Sequence, residues 1–290
     1  MAMTINTNVM SLNAQRNTAQ NSLSLATTMA RLSSGLRVNS SKDDAAGLAI
    51  ADRMNTQVRG MNVAIRNAND GISLAQVAEG GLSSMNEMLQ RMRELAVQAT
   101  NSTNTTGANG DIAKLSNEYG QLAQELTRMF SATQFNGQAV LAGAIDYSFQ
   151  VGANSGADNR ITISATDISL AAGAASAGFT AVASGGAASA LNLTSNVNNS
   201  ALLGSLDTAI SLVNDRRATL GAVQSRFENT IAYLRTSVEN QSAARGRIMD
   251  ADFAAETANL SRTQILQQAG TAMIAQANQL PQQVLQLLQR

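Results

Sequence analysis

The chain has 290 residues, and its 20 basic and 20 acidic side chains give a formal net charge of zero. This balance provides no general attraction to nucleic acid or to an anionic membrane, so we expect neither as a partner. The sequence contains no His and no Cys, which removes the commonest general base, every thiolate nucleophile and the usual zinc ligands. A Ser-Lys or carboxylate-pair mechanism is still compatible with the composition, but we predict a protein that is not an enzyme, with no catalytic residues, no metal site and no cofactor.

Aromatic residues make up only 3% of the chain, and its apolar residues are mainly Ala, Leu, Ile, Val and Met. This composition favours long helices packed side by side over a rounded core. No stretch approaches about 18 consecutive apolar residues, so no transmembrane helix is expected. The polar N-terminal residues lack the apolar segment of a secretory signal peptide, and on these grounds alone the chain would be interpreted as cytoplasmic.

The first predicted helix lies near the N-terminus. Its apolar stripe consists of Leu25, Met29, Leu32 and Leu36, and the sequence SSG at 33–35 closes it. The sequence SSKDD at 40–44 predicts the start of a second helix, because carboxylates stabilise a helix near its positive N-terminal end.

Apolar residues then recur at alternating spacings of three and four, a pattern typical of coiled-coil helices. The pattern extends over residues 54–72, 82–99, 112–129 and 206–238. Polar residues interrupt the last run at Arg217 and Gln224, which we interpret as a register device or a solvated helix edge.

A polar stretch, TNSTNTTGANGD at 100–111, separates the second and third of these runs. It contains Gly107 and Gly110 and predicts a turn, with Asp111 capping the helix that follows. Because the connection is short, the helices on either side are expected to be antiparallel neighbours.

The middle of the chain has a different composition, with no charged residue from Ile168 to Leu206. Just before this segment, alternating apolar residues predict two paired strands. The first strand carries Tyr147, Phe149 and Val151, and the second carries Ile161, Ile163 and Ala165. The turn sequence NSGADN separates them. The uncharged segment itself is interpreted as a surface loop or loosely packed strands.

An apolar seam with a period of seven lies near the C-terminus and consists of Leu266, Met273, Leu280 and Leu287. The polar positions around it are mostly uncharged, so an isolated helix with so narrow a seam should be marginal in water. We therefore predict that both chain ends are disordered in the free monomer and order against partner copies, with this seam and the stripe at 25–36 as polymerisation seams. Pairing of the two ends within one chain is the alternative.

The predicted fold is mainly α, with long antiparallel helices from both chain ends forming a coiled-coil-like bundle around a small β-containing central insert. Residues 1–42 and 250–290 are the predicted terminal segments. Residues 43–145 and 203–249 form the predicted helical core, and 146–202 form a variable, surface-exposed insert.

Four sequence segments resemble the signature motifs of bacterial flagellins. These are ARLSSGLRVNSSKDDAAGLAIADRM at 30–54, NANDGISLAQVAEGGLSSMNEMLQRMRELAVQATN at 67–101, TQFNGQAVL at 133–141 and MDADFAAETANLSRTQILQQAGTAMIAQANQLPQQVLQLLQR at 249–290. The resemblance extends through both ends of the chain and stops at the central insert.

The resemblance implies a structural subunit that polymerises with itself into the flagellar filament used for swimming. It implies export of the unfolded chain by the flagellar type III apparatus, and therefore a secreted, extracellular location without a cleaved signal. The terminal segments would form the inner tubes of the filament and the long helices its outer tube. Implied partners are an export chaperone at about 250–290, hook-junction proteins and the filament cap.

The resemblance also implies recognition by the vertebrate flagellin-sensing Toll-like receptor. The family motif reads LQRMRELAVQ at 89–98, with Met92 at the variable position. The matching positions are Gln90, Arg91, Leu95, Gln98 and, from the facing helix, Glu118. The alternative is that Arg91 and Glu118 form only solvated or intersubunit ion pairs, which are typically worth about 1 kcal/mol or less.

Two rival interpretations remain open to test, and a third is excluded by composition. A hook–filament junction protein has similar terminal helices, but the strength of the matches at 30–54 and 67–101 argues against it. A flagellin with a metalloprotease insert is excluded by the absence of His. A closed coiled-coil adaptor would form a fixed small oligomer with stable helical ends.

Overall fold

The computed structural model describes residues 7–105, 110–143, 145–170, 182 and 200–288, and in the last of these segments it describes the side chains of residues 202–279. The main helices are α1 (Val9–Ser34), α2 (Ala45–Ala99), α3 (Asp111–Ala132), the short α4 (Ala165–Ile168), α5 (Ser200–Met249) and α6 (Phe253–Leu288). The strands are β1 (Gln134–Phe135), β2 (Gln138–Ala139), β3 (Tyr147–Gln150) and β4 (Arg160–Ile163), and a 3₁₀ turn spans Ala157–Asn159. The predicted mainly α fold with a small β-containing insert is confirmed.

The chain divides into two compact units. The terminal unit combines the residues up to Thr56 with those from Glu239 onward, and the central unit comprises Gln57–Val238. The predicted domain boundaries at 42/43 and 249/250 fall close to helix ends. The two units instead divide at 56/57, inside α2, and at 238/239, inside α5.

In the terminal unit, α1 packs along α6. Helix α1 begins where the Asn8 side chain accepts a hydrogen bond from the Ser11 amide. It ends at Gly35, whose left-handed conformation, with a φ of 71°, is one that favours glycine. The predicted stripe at 25–36 therefore needs one correction. Leu36 lies beyond the helix and forms an antiparallel bridge with Asp250.

Local capping explains where the next helices begin. The Asp44 carboxylate accepts a hydrogen bond from the Gly47 amide at 2.8 Å, which confirms the helix start predicted from SSKDD. Helix α3 is capped by Gly110 rather than by Asp111, which is its first residue. The Asp111 carboxylate instead accepts a hydrogen bond from the hydroxyl of Thr105. Gly107 lies outside the described residues.

The core of the central unit is formed by α2, α3 and α5 together with the β3–β4 hairpin. Its largest fully buried side chains include Leu82, Leu89 and Met92 from α2, Tyr119 and Leu126 from α3, and Phe227 from α5. Ion and hydrogen-bond pairs show that α2 and α5 run antiparallel, since Arg93 meets Asp207 while Glu79 meets Gln224. Gln224, predicted as a polar break, donates to the Glu79 carboxylate at 2.9 Å.

The strands form two small hairpins. In the first, Asn136 and Gly137 both have positive φ angles, 52° and 77°, as the tight turn between β1 and β2 requires. In the second, Tyr147 pairs with Ile163 and Gln150 with Arg160, which confirms the predicted strand pair, although Val151 and Ala165 lie just outside the strands. The predicted loop beyond it falls mostly outside the described residues.

Candidate interaction surfaces

The interface between α1 and α6 is built from small and polar side chains. The buried side chains that face one another across it are Ser11, Thr28, Glu256, Thr263 and Ala277. The Asn8 amide donates to the Ala277 carbonyl at 2.7 Å, and the Ser11 hydroxyl donates to Asn278 Oδ1 at 2.8 Å. Small side chains let the helices approach closely, but they bury little apolar area.

As a consequence, α1 and α6 leave many of their large apolar side chains uncovered. Those classed as exposed on the described parts of the two helices are Val9, Met10, Leu12, Leu23, Met29, Phe253, Ile265, Leu266 and Met273. Monomeric soluble proteins rarely expose large groups of apolar side chains, and such groups mark surfaces that bind something. We call this set the terminal apolar surface.

The predicted polymerisation seams map onto this surface only in part. Leu25 and Leu32 are half-buried, whereas Met29, Leu266 and Met273 are exposed. The side chains of Leu280 and Leu287 lie outside the described residues. The heptad pattern did not include Val9, Leu12, Leu23, Phe253 and Ile265, whose only signal in the sequence was their apolar character on otherwise polar helices.

A second surface lies where α2 faces α3 in the central unit. Arg91 Nη2 lies 2.7 Å from Glu118 Oε1, and Arg91 Nη1 lies 2.9 Å from Glu94 Oε2. The hydrogen bonds to Glu118, and then those to Glu94, raise the pKa of Arg91 above its ordinary value. One guanidinium therefore holds two carboxylates at an exposed site, one on its own helix and one on α3.

The structure brings the receptor-motif residues together with one exception. Gln90, Arg91, Gln98 and Glu118 are exposed on this face, and Glu118 lies beside Arg91 as the facing-helix prediction required. Leu95 is only 1% exposed and belongs to the core. Its prediction as a surface contact therefore needs correction, because its side chain supports the helix from beneath.

Within the described residues, no group of three or more acidic side chains is placed to hold a metal ion. None of the described helices combines the length and the apolar character needed to cross a membrane.

Comparison with known proteins relates this architecture to one family. Residues 5–146 match the family model of the bacterial flagellin N-terminal helical region, and residues 203–288 match that of the C-terminal helical region. The chain is 44% identical over 287 residues to a flagellin of Halalkalibacterium halodurans, covering 99% of this chain and all of that one. It is 40% identical over 306 residues to a flagellin of Bacillus subtilis, with the same coverage.

Among solved structures, the crystal structure of Bacillus cereus flagellin is 30% identical, covers 62% of this chain and 94% of that one, and superposes with a TM-score of 0.47. The two family models match regions described as helical, and they place the chain in a class of helical structural proteins. The chain belongs to the bacterial flagellin family, as its sequence motifs predicted.

Proposed function

We propose that the chain polymerises into a flagellar filament through its terminal unit, and that the filament serves swimming motility. The observation that carries this proposal is the terminal apolar surface on α1 and α6. Fully covering one large apolar side chain contributes about 1.5–3 kcal/mol. Nine such side chains are exposed on the described parts of these helices, so neighbouring copies that cover them would gain enough to offset the cost of association.

The geometry of such a contact determines the product. A head-to-tail contact that does not close generates an open helical polymer rather than a ring. The terminal apolar surface lies on two long helices whose lengths, 26 and 36 residues, give extended contact surfaces instead of one compact patch. Extended surfaces are suited to contacts with several neighbours, as a tube requires.

The order of the terminal unit in the free subunit is part of the same proposal. The fully buried side chains between α1 and α6 are mainly Ser, Thr and Ala, and the described residues of this interface include an ion pair between Arg31 and Glu256. An interface of this kind contributes little hydrophobic stabilisation. We propose that residues 1–42 and 250–290 are disordered in the free monomer and gain their order when neighbouring copies cover the terminal apolar surface.

Family membership supports a proposal about secretion. We propose that the chain is exported unfolded by the flagellar type III apparatus to the extracellular filament. A chain without Cys cannot form disulfides that would obstruct that passage. Exposed Ile265, Leu266 and Met273 on α6 are the side chains that an export chaperone at 250–290 would cover. Hook-junction proteins and the filament cap would contact the terminal unit at the two ends of the polymer.

The exposed face around Arg91 and Glu118 supports a second role for the free subunit. We propose that the vertebrate flagellin-sensing Toll-like receptor binds this face through Gln90, Arg91, Gln98 and Glu118, while buried Leu95 maintains the helix geometry.

Deletion variants test the polymerisation proposal. Removing residues 1–40 or 250–290 should abolish growth on filament seeds, because either deletion removes one side of the terminal apolar surface. The central unit has its own core, so circular dichroism should still show a cooperatively melting helical protein. A truncated chain that still forms filaments would refute the proposal.

A further inference from the structure

The chain contains 12 methionines, and those that the structure describes differ sharply in exposure according to the helix that carries them. Met10, Met29 and Met273, all on α1 or α6, are 65%, 56% and 63% exposed. The other described methionines, among them Met61, Met85 and Met92, are buried or half-buried. Among the described methionines, the exposed thioethers therefore all belong to the terminal apolar surface.

We propose that Met10, Met29 and Met273 are an oxidation-sensitive site that controls assembly, with a peroxide or hypochlorous acid as the oxidant. This inference rests on the proposed polymerisation through the terminal apolar surface. Methionine suits such a surface when reduced, because its flexible, polarisable side chain adapts to the irregular surfaces of neighbouring copies. The same side chain becomes polar and chiral when oxidised.

The reaction with hydrogen peroxide is balanced. A sulfur lone pair attacks one peroxide oxygen, the S–O bond forms and the O–O bond breaks. The departing hydroxide takes the proton from the new S–OH group and leaves as water. Sulfur is oxidised by two electrons to the sulfoxide, and the peroxide is reduced by two. A dithiol-dependent methionine sulfoxide reductase reverses the step, yielding the thioether, a disulfide and water.

Burial explains why oxidation would affect assembly before it affects the fold. Met85 and Met92 have no exposed area, so an oxidant reaches them only when the central unit opens. The three exposed sulfurs need no opening. Each sulfoxide covered by an apolar neighbour without a hydrogen-bond partner should raise the critical concentration for polymerisation by about tenfold.

The experiment uses the full chain. Monomer is treated with hydrogen peroxide, sulfoxides are mapped by peptide mass spectrometry, and growth on untreated filament seeds is followed by light scattering. We expect Met10, Met29 and Met273 to be oxidised before the buried methionines of the central unit, and seeded growth to fall as the oxidised fraction of these three residues rises. The cooperative thermal transition of the central unit, followed by circular dichroism, should stay unchanged. Reduction by a mixture of the two epimer-specific reductases should restore growth.

Two variants assign the effect to these residues. A chain with Met10→Leu, Met29→Leu and Met273→Leu should polymerise and keep polymerising after peroxide treatment. The matched control with Met85→Leu and Met92→Leu, conservative in volume, should lose growth after treatment as the natural chain does. If the triple variant fails to assemble even without peroxide, the test is whether the reductases restore the seeded growth of the oxidised natural chain.

The inference would be overturned if peroxide still blocked the growth of the triple variant. It would also be overturned if the oxidised natural chain grew normally, or if the reductases did not restore its growth. Failure of the proposed function gives a different result, because untreated natural chain would then not grow on seeds at all.

Discussion

The Arg31 guanidinium on α1 lies 3.0 Å from the Glu256 carboxylate on α6, and this ion pair joins two residues that are 225 positions apart in sequence. Glu256 is the one carboxylate residue classed as buried in the described part of the chain, with 8% of its surface exposed. Arg31 remains about one-third exposed. The pair therefore fixes the position of α1 against α6 in an interface that has few apolar contacts.

Replacing Glu256 should loosen the α1–α6 interface. Glu256→Gln keeps the shape of the side chain and removes its charge, so Arg31 loses its partner at a half-buried site. We expect a loss of about 1–2 kcal/mol, measured in the assembled filament, where the terminal unit is proposed to be ordered, as faster hydrogen–deuterium exchange of the α1 amides.

Glu125→Gln is the matched control, because Glu125 pairs with Arg128 on a single helix at an exposed site. That change should leave exchange in the terminal unit unaltered. Equal exchange in the two variants would show that the Arg31–Glu256 pair does not stabilise the α1–α6 interface.

Gly71 on α2 packs directly against the ring of Phe227. A Cβ added at Gly71 would lie 2.6 Å from Phe227 Cζ, and Phe227 is fully buried and has little freedom to move. We expect Gly71→Ala to destabilise the central unit by about 1–3 kcal/mol, measured from the urea midpoint at an unchanged m-value.

The control for this change is Gly80→Ala, nine positions further along the same helix, where an added Cβ meets nothing within 4 Å. Because alanine is the better helix former, Gly80→Ala should be neutral or stabilising by up to about 1 kcal/mol. Equal urea midpoints for the two variants would contradict the close contact between Gly71 and Phe227.

The hydroxyl of Tyr119 is buried and has no hydrogen-bond partner among the described residues. Removing it should relieve an unsatisfied polar group, so we expect Tyr119→Phe to stabilise the chain by up to about 1 kcal/mol at neutral pH. Tyr147→Phe provides the contrast, because the Tyr147 hydroxyl donates to the Ala139 carbonyl. That variant should lose about 0.5–1.5 kcal/mol. Urea midpoints distinguish the two outcomes.

Tyr119 also predicts a dependence on pH. Burial raises the pKa of its hydroxyl above the ordinary value of 10.0. A raised pKa in the folded state means that its contribution to stability is complete below pH 10 and is lost as the pH rises above it. The natural chain should therefore lose more stability between neutral pH and about pH 11 than Tyr119→Phe does. Identical losses would contradict the burial of this hydroxyl.

The receptor proposal is tested at Arg91. Arg91→Ala should raise the subunit concentration needed to activate the flagellin-sensing Toll-like receptor in reporter cells by about tenfold or more, because an exposed arginine at the centre of a contact is a frequent energetic anchor. Arg93→Ala is the control. It lies two positions along α2 and pairs with Asp207 instead, and it should leave activation nearly unchanged. A larger effect at Arg93 would place the binding face elsewhere.

Periodicity and local chemistry predicted the helices and the strand pair well. Runs such as Leu82, Leu89 and Met92 face the core because their spacing keeps them on one side of α2. The helix start at Asp44 followed from capping chemistry. Both signals are local, so they can be read without knowing what the chain packs against.

The features that depend on tertiary contacts were harder to predict. The heptad seam predicted that partner copies would cover Leu266 and Met273, and it gave no indication that Thr28, Glu256 and Thr263 would be the buried residues between α1 and α6. Small and polar residues on both helices allow this packing. The residue pattern of one helix alone does not show that this face, rather than the apolar seam, packs against the other helix. Leu95 was predicted at the surface because the receptor motif carries no information about burial.

Seeded growth tests the central claim most directly. Purified monomer is added to short filament fragments, and growth is followed by light scattering and negative-stain electron microscopy, with limited proteolysis of the free monomer alongside. The account predicts long tubes, and a protease that removes only the residues flanking the central unit. A fixed small oligomer with protease-resistant ends would contradict it and would favour a hook–filament junction protein or a closed coiled-coil adaptor.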